Sequence, residues 1–119
     1  MTRATLLALA DRVEALTGPC RKTDSAVDIA AFSDRHSLAD LARGQMSSWW
    51  AMLNNIPHYT ASLDAAVALL DGRDWSMAAD CDGATATVID SEPWHGHTAT
   101  PALALTAAAL RARAMMEAE

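Results

Sequence analysis

The amino-acid sequence predicts a single α+β domain, in which a short antiparallel β-hairpin or sheet packs against three to five helices in an α-β-α sandwich-like arrangement. Apolar residues recur with helical spacing near both ends of the chain, over residues 2–17 and 100–113. Between them, two runs of alternating residues flank Asp82-Gly83, a dipeptide typical of hairpin turns. The 119 residues match the size of one domain, which can bury a core without metal or disulfide crosslinks.

The first helix is predicted over residues 2–17. Its apolar residues fall at spacings of three and four and form one stripe: Leu6, Leu9, Ala10, Val13 and Leu16. Thr2 is a suitable N-cap, and Gly18-Pro19 is a strong stop signal. A second, shorter helix is predicted over residues 22–31.

Residues 32–58 are interpreted as an insert with two helical stretches. Ser37 is expected to cap a short helix that ends at Gly44, and residues 46–55 follow as a further helix. The second stretch contains Trp49 and Trp50, which cannot both point inward from one face of a helix. Because Trp is enriched at the centre of interfaces, these two residues are candidate partner contacts, with burial in the main core as the alternative.

Two further helices are predicted from their first residues. Thr60 is expected to cap a helix that ends at Gly72, with Ser62 and Asp64 as capping and first-turn residues. Thr100 as N-cap opens the last helix, with a proline at its first position. The core stripe of the last helix is predicted to consist of Leu103, Ala107, Leu110 and Ala114.

Two strands are predicted around the Asp82-Gly83 turn. Residues 75–79 alternate in a way that suits a half-buried strand, with Trp75, Met77 and Ala79 on one face. Residues 84–88 alternate in the same way. An isolated hairpin is only marginally stable, so it must pack on helices or acquire a third strand. Residues 92–98 are interpreted as a loop, with a third strand at 93–97 as the alternative.

Charge and composition exclude several classes of function. The formal net charge is −6, which disfavours direct nucleic-acid binding because such binding needs clustered Lys and Arg. No run approaches the roughly 20 apolar residues that span a bilayer, so no membrane association is expected. The two cysteines, Cys20 and Cys81, form no disulfide framework and fit a reducing cytoplasm.

Four segments together resemble one known family. They are Leu6–Pro19, Tyr59–Ala66, the strand around Trp75, and Thr100–Arg113. In their order and residue content these segments are similar to the phage ABA sandwich domain family. The resemblance implies a small layered domain of helices and strands from a phage or prophage. The family has no established activity, so no catalytic residue and no cofactor is carried over, and residues 32–58 depart from its usual compact layout.

Two arrangements of residues suggest chemistry. His95 and His97 would point the same way in an extended backbone and could share a metal ion, with Cys81 nearby. The alternative is a pair of exposed histidines, because zinc sites usually have three or four ligands. A reactive cysteine at Cys20 or Cys81 would need a lowered pKa and an oriented base. Incidental thiols are the preferred interpretation.

A third arrangement suggests a binding surface. The hairpin region is acidic beside Trp94, and it would suit a basic protein partner. The acidic candidates for partner contact are Asp80, Asp82, Asp90 and Glu92.

The function predicted from these observations is non-enzymatic. We expect a phage-encoded accessory protein in the host cytoplasm that acts by binding another protein, with inhibition of a host defence system such as CRISPR as one form. One alternative is a structural or assembly protein of a phage that forms homo-oligomers. The other is a small metal-binding protein or enzyme that uses His95 and His97.

Overall fold

The computed structural model describes residues 3–32, 56–90 and 92–116. In chain order the described elements are α1 (Arg3–Ala15), α2 (Arg21–Ala31), α3 (Leu63–Val67) with a 3-10 turn after it (Ala68–Leu70), β1 (Asp74–Asp80), β2 (Gly83–Ile89), β3 (Pro93–Thr98) and α4 (Pro101–Ala114). Within these ranges, four helices accompany one antiparallel sheet, and the predicted α+β class is confirmed.

The sheet has the strand order β1-β2-β3 and is antiparallel throughout. On the central strand, Ala84, Ala86 and Val88 are buried, whereas Thr85 and Thr87 are only half-buried. Directly opposite residues of neighbouring strands share a face of the sheet. The buried residues Ala84, Ala86 and Val88 and their partners on β1 and β3 therefore form the inner face of the sheet. α4 packs on this inner face over β2 and β3, and it reaches β1 at few points.

α4 is the centre of the molecule. Nearly all of its residues are buried, because the sheet covers one side of the helix while α1 and α3 cover the other. The four residues of the predicted core stripe are all buried, but burial extends around most of the helix and is not limited to that stripe. The predicted start is confirmed: Thr100 Oγ1 accepts a hydrogen bond from the Leu103 amide (3.4 Å), and Pro101 occupies the first position.

The helix after residue 60 begins later than predicted. Ser62, not Thr60, is the N-cap of α3, and its hydroxyl accepts a hydrogen bond from the Ala65 amide (3.3 Å). Thr60 is buried and instead donates to Asp24 on α2, with its amide at 2.8 Å and its hydroxyl at 2.7 Å from Oδ1. The prediction that Ser62 caps this helix and Asp64 lies in its first turn is confirmed.

The hairpin turn lies one residue earlier than predicted. Asp80 pairs with Gly83, so the two residues of the loop are Cys81 and Asp82. Asp80 Oδ1 accepts a hydrogen bond from the Asp82 amide (2.9 Å), and this side chain-to-backbone bond stabilises the turn. Gly83 has φ 133° and a Cβ there would lie 2.4 Å from the Thr98 carbonyl oxygen, so glycine is required at the start of β2 and not within the turn.

Two strand predictions are also corrected. Residues 93–98 form β3, so the third-strand alternative is confirmed and the loop interpretation is wrong. β1 is present, but six of its seven residues are exposed and only Met77 is half-buried. The expected half-burial of β1 fails because α4 lies over β2 and β3 and leaves β1 at the border of the inner face.

The predictions for the proposed insert lie outside the described residues from position 33 to 55, and this includes Trp49 and Trp50. Among the helices that the structure describes, none combines the length and apolarity required to cross a bilayer.

Candidate functional site

The predicted acidic residues lie at two opposite ends of the sheet. Asp80 and Asp82 belong to the β1–β2 hairpin, whereas Asp90 and Glu92 belong to the connection between β2 and β3. Since a strand rises about 3.3 Å per residue, the two ends of a seven-residue strand are roughly 20 Å apart. The acidic side chains therefore do not form one cluster. They flank the sheet at both ends.

The two ends differ in their ion pairing. Asp90 forms a salt bridge with Arg73 (3.4 Å), whose guanidinium also donates to the Leu70 carbonyl (2.7 Å). At the other end, Asp80 and Asp82 are exposed and have no salt bridge within the described chain. The hairpin end therefore presents the less compensated negative charge.

Trp94, another predicted partner residue, lies on β3 opposite Val88. It is half-buried and packs against the core. Because Trp94 lies on the inner face and packs against the core, less of its side chain is available to contact a partner than the sequence suggested.

His95 and His97 do share one face of β3, as the extended backbone predicted. Each ring is held by the neighbouring strand: His95 Nδ1 lies 3.0 Å from Thr87 Oγ1, and His97 Nδ1 lies 2.7 Å from Thr85 Oγ1. The described residues bring no third His, Cys, Asp or Glu into position to hold a metal ion with them.

The two cysteines occupy different environments. Cys81 is exposed in the hairpin turn, whereas Cys20 is half-buried at the N-cap of α2. A hydrogen bond from the Thr23 side chain lowers the pKa of the Cys20 thiol below its ordinary value. Arg21 follows it in sequence, but its guanidinium is bound to Asp24 (3.0 Å) and to the Ile56 carbonyl (2.9 Å).

A cleft of about 300 Å³ opens beside the start of α4. The described residues that line it are Pro19, Thr60, Ala61, Leu63, Thr100, Pro101 and Ala102, and none of these seven has a titratable side chain. These residues offer two hydroxyls, with no acid or base among them to activate a hydroxyl for a reaction.

The outer edge of β3 is closed by charged side chains. Arg111 on α4 donates to the His95 carbonyl (2.7 Å), and the His97 amide donates to Glu14 Oε2 on α1 (2.9 Å). Arg111 also bridges to Glu14 and to Asp11 (2.8 Å). These side chains occupy backbone groups that an additional strand would need, which is a known way to protect a sheet edge.

The electrostatics of this cluster are consistent with a stable closure. The hydrogen bond from Arg111 holds the pKa of the Glu14 carboxyl below its usual range, and the His97 amide adds to the effect. The same bond raises the pKa of the Arg111 guanidinium above its ordinary value.

Replacing Glu14 with glutamine is expected to make stability less sensitive to acid. A carboxyl whose pKa is lowered by folding stabilises the protein above its unfolded pKa, and this contribution disappears as the pH falls through the folded pKa. We expect Glu14→Gln to lower the free energy of unfolding by about 1 kcal/mol at neutral pH, because the pair is partly exposed. Urea unfolding at neutral pH and at about pH 3 would measure the difference between the two proteins.

The difference should shrink as the pH falls, because protonation of Glu14 in the wild type removes the charge that the glutamine variant lacks. Asp82→Asn, a change of one charge at an exposed position of the hairpin turn with no salt bridge in the described chain, provides the control. An equal loss of stability at both pH values would show that the Glu14 charge does not contribute as described.

The hydrogen bonds at the β3 edge also reveal which way the backbone of β1 points. In an antiparallel sheet the N–H and C=O of one residue point to the same side, and the side alternates along the strand. The backbone N–H and C=O groups of His95 and His97 point away from β2, so those of Gly96 point toward β2 and those of its partner Ala86 point toward β3. The backbone groups of Thr85 and Thr87, the neighbours of Ala86, therefore point toward β1. It follows that the backbone groups of Trp75, Met77 and Ala79 point away from β2, toward the outer edge of β1.

We call this outer edge, together with the side chains of Trp75, Met77 and Ala79 and the terminal carboxylates of Asp74 and Asp80, the β1 surface. No strand of the described residues pairs with it. Trp75 is 37% exposed, and the carboxylates of Asp74 and Asp80 lie at the two ends of the strand. The alternation of these residues in the sequence predicted a half-buried strand, with the three side chains on one face. The acid at each end of the strand was the available signal for an edge, since charges are typical of edge strands.

Comparisons with protein-family models, with curated proteins and with solved structures gave no match for this chain.

Proposed function

We propose that this chain acts by binding another protein through the β1 surface and the acidic ends of the sheet. The observation that carries the proposal is the contrast between the two sheet edges. Arg111 and Glu14 close the outer edge of β3, whereas the outer edge of β1 has an exposed tryptophan and outward-pointing backbone groups. A strand edge left open beside apolar side chains is a typical site of protein association.

Charge supports a basic partner. The chain has a net charge of −6, and Asp74, Asp80 and Asp82 lie around the β1 surface in exposed positions. Complementary charge speeds encounter and orients the two proteins, and its effect weakens as salt rises. The partner surface is therefore expected to combine apolar residues with Lys or Arg.

A host defence protein fits this description. The resemblance noted above implies a phage or prophage origin, and nucleic-acid-guided defence effectors such as those of CRISPR contain channels lined with positive charge. We therefore propose that the chain is an acidic phage accessory protein that binds such a component in the host cytoplasm and so inhibits it. The proposal is supported by the negative charge, the exposed strand edge and the resemblance together.

The proposal predicts that Trp75→Ala weakens partner binding strongly. Exposed tryptophans at the centre of interfaces often contribute 2 kcal/mol or more, so we expect a loss of about 30-fold in affinity. The partner would be captured from host lysate, identified by mass spectrometry, purified, and titrated against the wild type and the variant by calorimetry at low and high salt.

Asp80→Asn should weaken binding by a smaller factor and reduce its dependence on salt, because it removes one of the charges. Asp64→Asn changes the net charge equally but lies on α3, away from the sheet, and should bind as the wild type does. A partner whose affinity ignores salt, Trp75→Ala and Asp80→Asn would refute this surface as the binding site.

A further inference from the structure

We propose that the outer edge of β1 takes up an extended segment of the partner as an additional antiparallel strand, and that this segment has Lys or Arg at two positions six residues apart with apolar residues alternating between them. The inference rests on the proposed function and specifies the chemistry of the partner. Each part of the pattern follows from the backbone direction and side-chain faces of β1.

The backbone of β1 supplies the hydrogen bonds. Trp75, Met77 and Ala79 each direct one N–H and one C=O toward the open edge, so an antiparallel segment pairs with these three residues. Antiparallel pairing extends the sheet in the arrangement it already has and is slightly more stable per residue than parallel pairing. The partner residues opposite these three positions exchange both backbone bonds with them.

The inner face selects apolar side chains. Trp75, Met77 and Ala79 lie opposite the buried residues of β2, and α4 extends little over them. Partner residues opposite these positions share the same face and lie within contact distance of their side chains. Apolar residues at three alternate positions of the segment would bury the exposed surfaces of Trp75 and Met77 against that face.

The outer face selects basic residues at the ends. Asp74 and Asp80 are both exposed, and their even spacing places them on the same face of the strand, six residues apart. A segment that pairs with the whole strand therefore places two residues, also six apart, opposite these carboxylates. Opposite charges in directly facing positions stabilise the pair, and like charges destabilise it. Lys or Arg is favoured at both positions.

The same charges oppose a second copy of this chain as the occupant. If two copies of β1 paired in antiparallel fashion over the whole strand, with Met77 at the centre, Asp74 of each copy would face Asp80 of the other. Two pairs of carboxylates would then face each other at the dimer interface, in addition to the repulsion between two molecules of net charge −6.

A synthetic peptide tests the inference directly. The probe is Lys-Val-Thr-Val-Thr-Val-Lys with acetylated and amidated ends, which reproduces the pattern in register with β1. Titration into the labelled full chain would be followed by amide chemical shifts and hydrogen exchange. We expect shifts centred on β1 and slower exchange of the Trp75, Met77 and Ala79 amides, which the added strand protects.

Matched peptides isolate the two sources of recognition. N-methylation of the central valine removes an N–H that points at Met77 and should abolish binding, whereas N-methylation of a threonine removes an N–H that points away and should leave it nearly unchanged. Replacing both lysines by glutamate should weaken binding about tenfold or more, and Asp74→Asn or Asp80→Asn about threefold each. Asp64→Asn should have no effect.

A protein variant provides an independent test. Met77→Pro removes an N–H that faces away from β2, a position where an edge strand tolerates proline. We expect this variant to unfold within a few degrees of the wild type and to lose binding of the lysine peptide. If Met77→Pro does not fold, the N-methylated peptides decide the question without altering the protein.

Several results would overturn the inference. Equal binding of the two N-methylated peptides, or of the lysine and glutamate peptides, would do so. Chemical-shift changes confined to another surface would also do so, as would a dimer of the free protein that Met77→Pro dissociates. If these results appear while a purified partner still depends on Trp75, strand addition is excluded and the proposed function stands. If the peptide binds as expected and the captured partner ignores the β1 surface, the proposed function fails.

Discussion

Gly96→Ala is expected to destabilise the fold by about 3 kcal/mol or more, because β3 and α4 are in backbone contact at this glycine. A Cβ on Gly96 would lie 2.3 Å from the Ala104 carbonyl oxygen, 2.9 Å from the Ala108 nitrogen and 3.0 Å from the Ala107 Cβ. The first two of these are backbone atoms of a helix that cannot move away, since α1 packs on its other side. Either β3 must separate from α4 or the helix must bend.

Chemical unfolding in urea measures this loss, and Gly18→Ala is the matched control. A Cβ on Gly18 would have no heavy atom within 4 Å, and this glycine has no positive φ, so alanine there should change stability by less than about 0.5 kcal/mol. If Gly96→Ala were as stable as Gly18→Ala, β3 and α4 could not be as close as the structure shows.

Asp24→Ala is expected to cost about 3 kcal/mol, because the variant loses a buried carboxylate that accepts three hydrogen bonds. The Asp24 carboxylate is fully buried and holds three donors. Its Oδ1 accepts from the Thr60 amide (2.8 Å) and hydroxyl (2.7 Å), and its Oδ2 pairs with Arg21 (3.0 Å). Alanine would remove the acceptor of the buried Thr60 amide, while the Thr60 hydroxyl would keep the Cys20 carbonyl (3.3 Å) and Arg21 the Ile56 carbonyl (2.9 Å). The loss would weaken the attachment of α2 to the segment that leads into α3.

Two other variants separate the charge from the hydrogen bonds. Asp24→Asn retains an oxygen for Thr60 but loses the ion pair with Arg21, so it should lose less stability than the alanine variant. Lys22→Ala changes an exposed residue of the same helix and should have little effect. A free energy of unfolding for Asp24→Ala within 1 kcal/mol of the wild type would contradict the role of this carboxylate.

Elements that depend on nearby residues were predicted well. The start of α4 follows from Thr100 and Pro101, and α1 follows from its apolar spacing and the Gly18-Pro19 stop. Capping and periodicity act over a few residues, so the chain encodes them locally. The position of the hairpin turn was predicted to within one residue, and in the structure Asp80 pairs with Gly83.

Predictions failed where a distant residue decided the outcome. Thr60 and Ser62 are both good caps by local rules, but Asp24, distant in sequence, binds Thr60 and leaves the cap to Ser62. The alternation of β1 is the same whether one face is covered or open. Its exposure depends on α4 lying over the other two strands, which no local pattern records.

The candidate site shows the same division. The sequence shows the acidic residues and Trp75, but it predicted a single acidic surface around the hairpin. In the structure Asp80 and Asp90 lie at opposite ends of the sheet. The closure of the β3 edge by Glu14 and Arg111 joins residues about a hundred positions apart, and only the packing of α1 beside α4 brings them together.

By itself, the sequence determined the class of the fold, the helices with clear caps, the strand pair and the negative charge, because each depends on composition or on neighbours along the chain. Tertiary structure alone decided that side chains close the outer edge of β3, and that no strand within residues 3–32, 56–90 and 92–116 pairs with the outer edge of β1. Backbone direction and long-range side-chain contacts set that difference, and the open edge of β1 is where we expect a partner to bind.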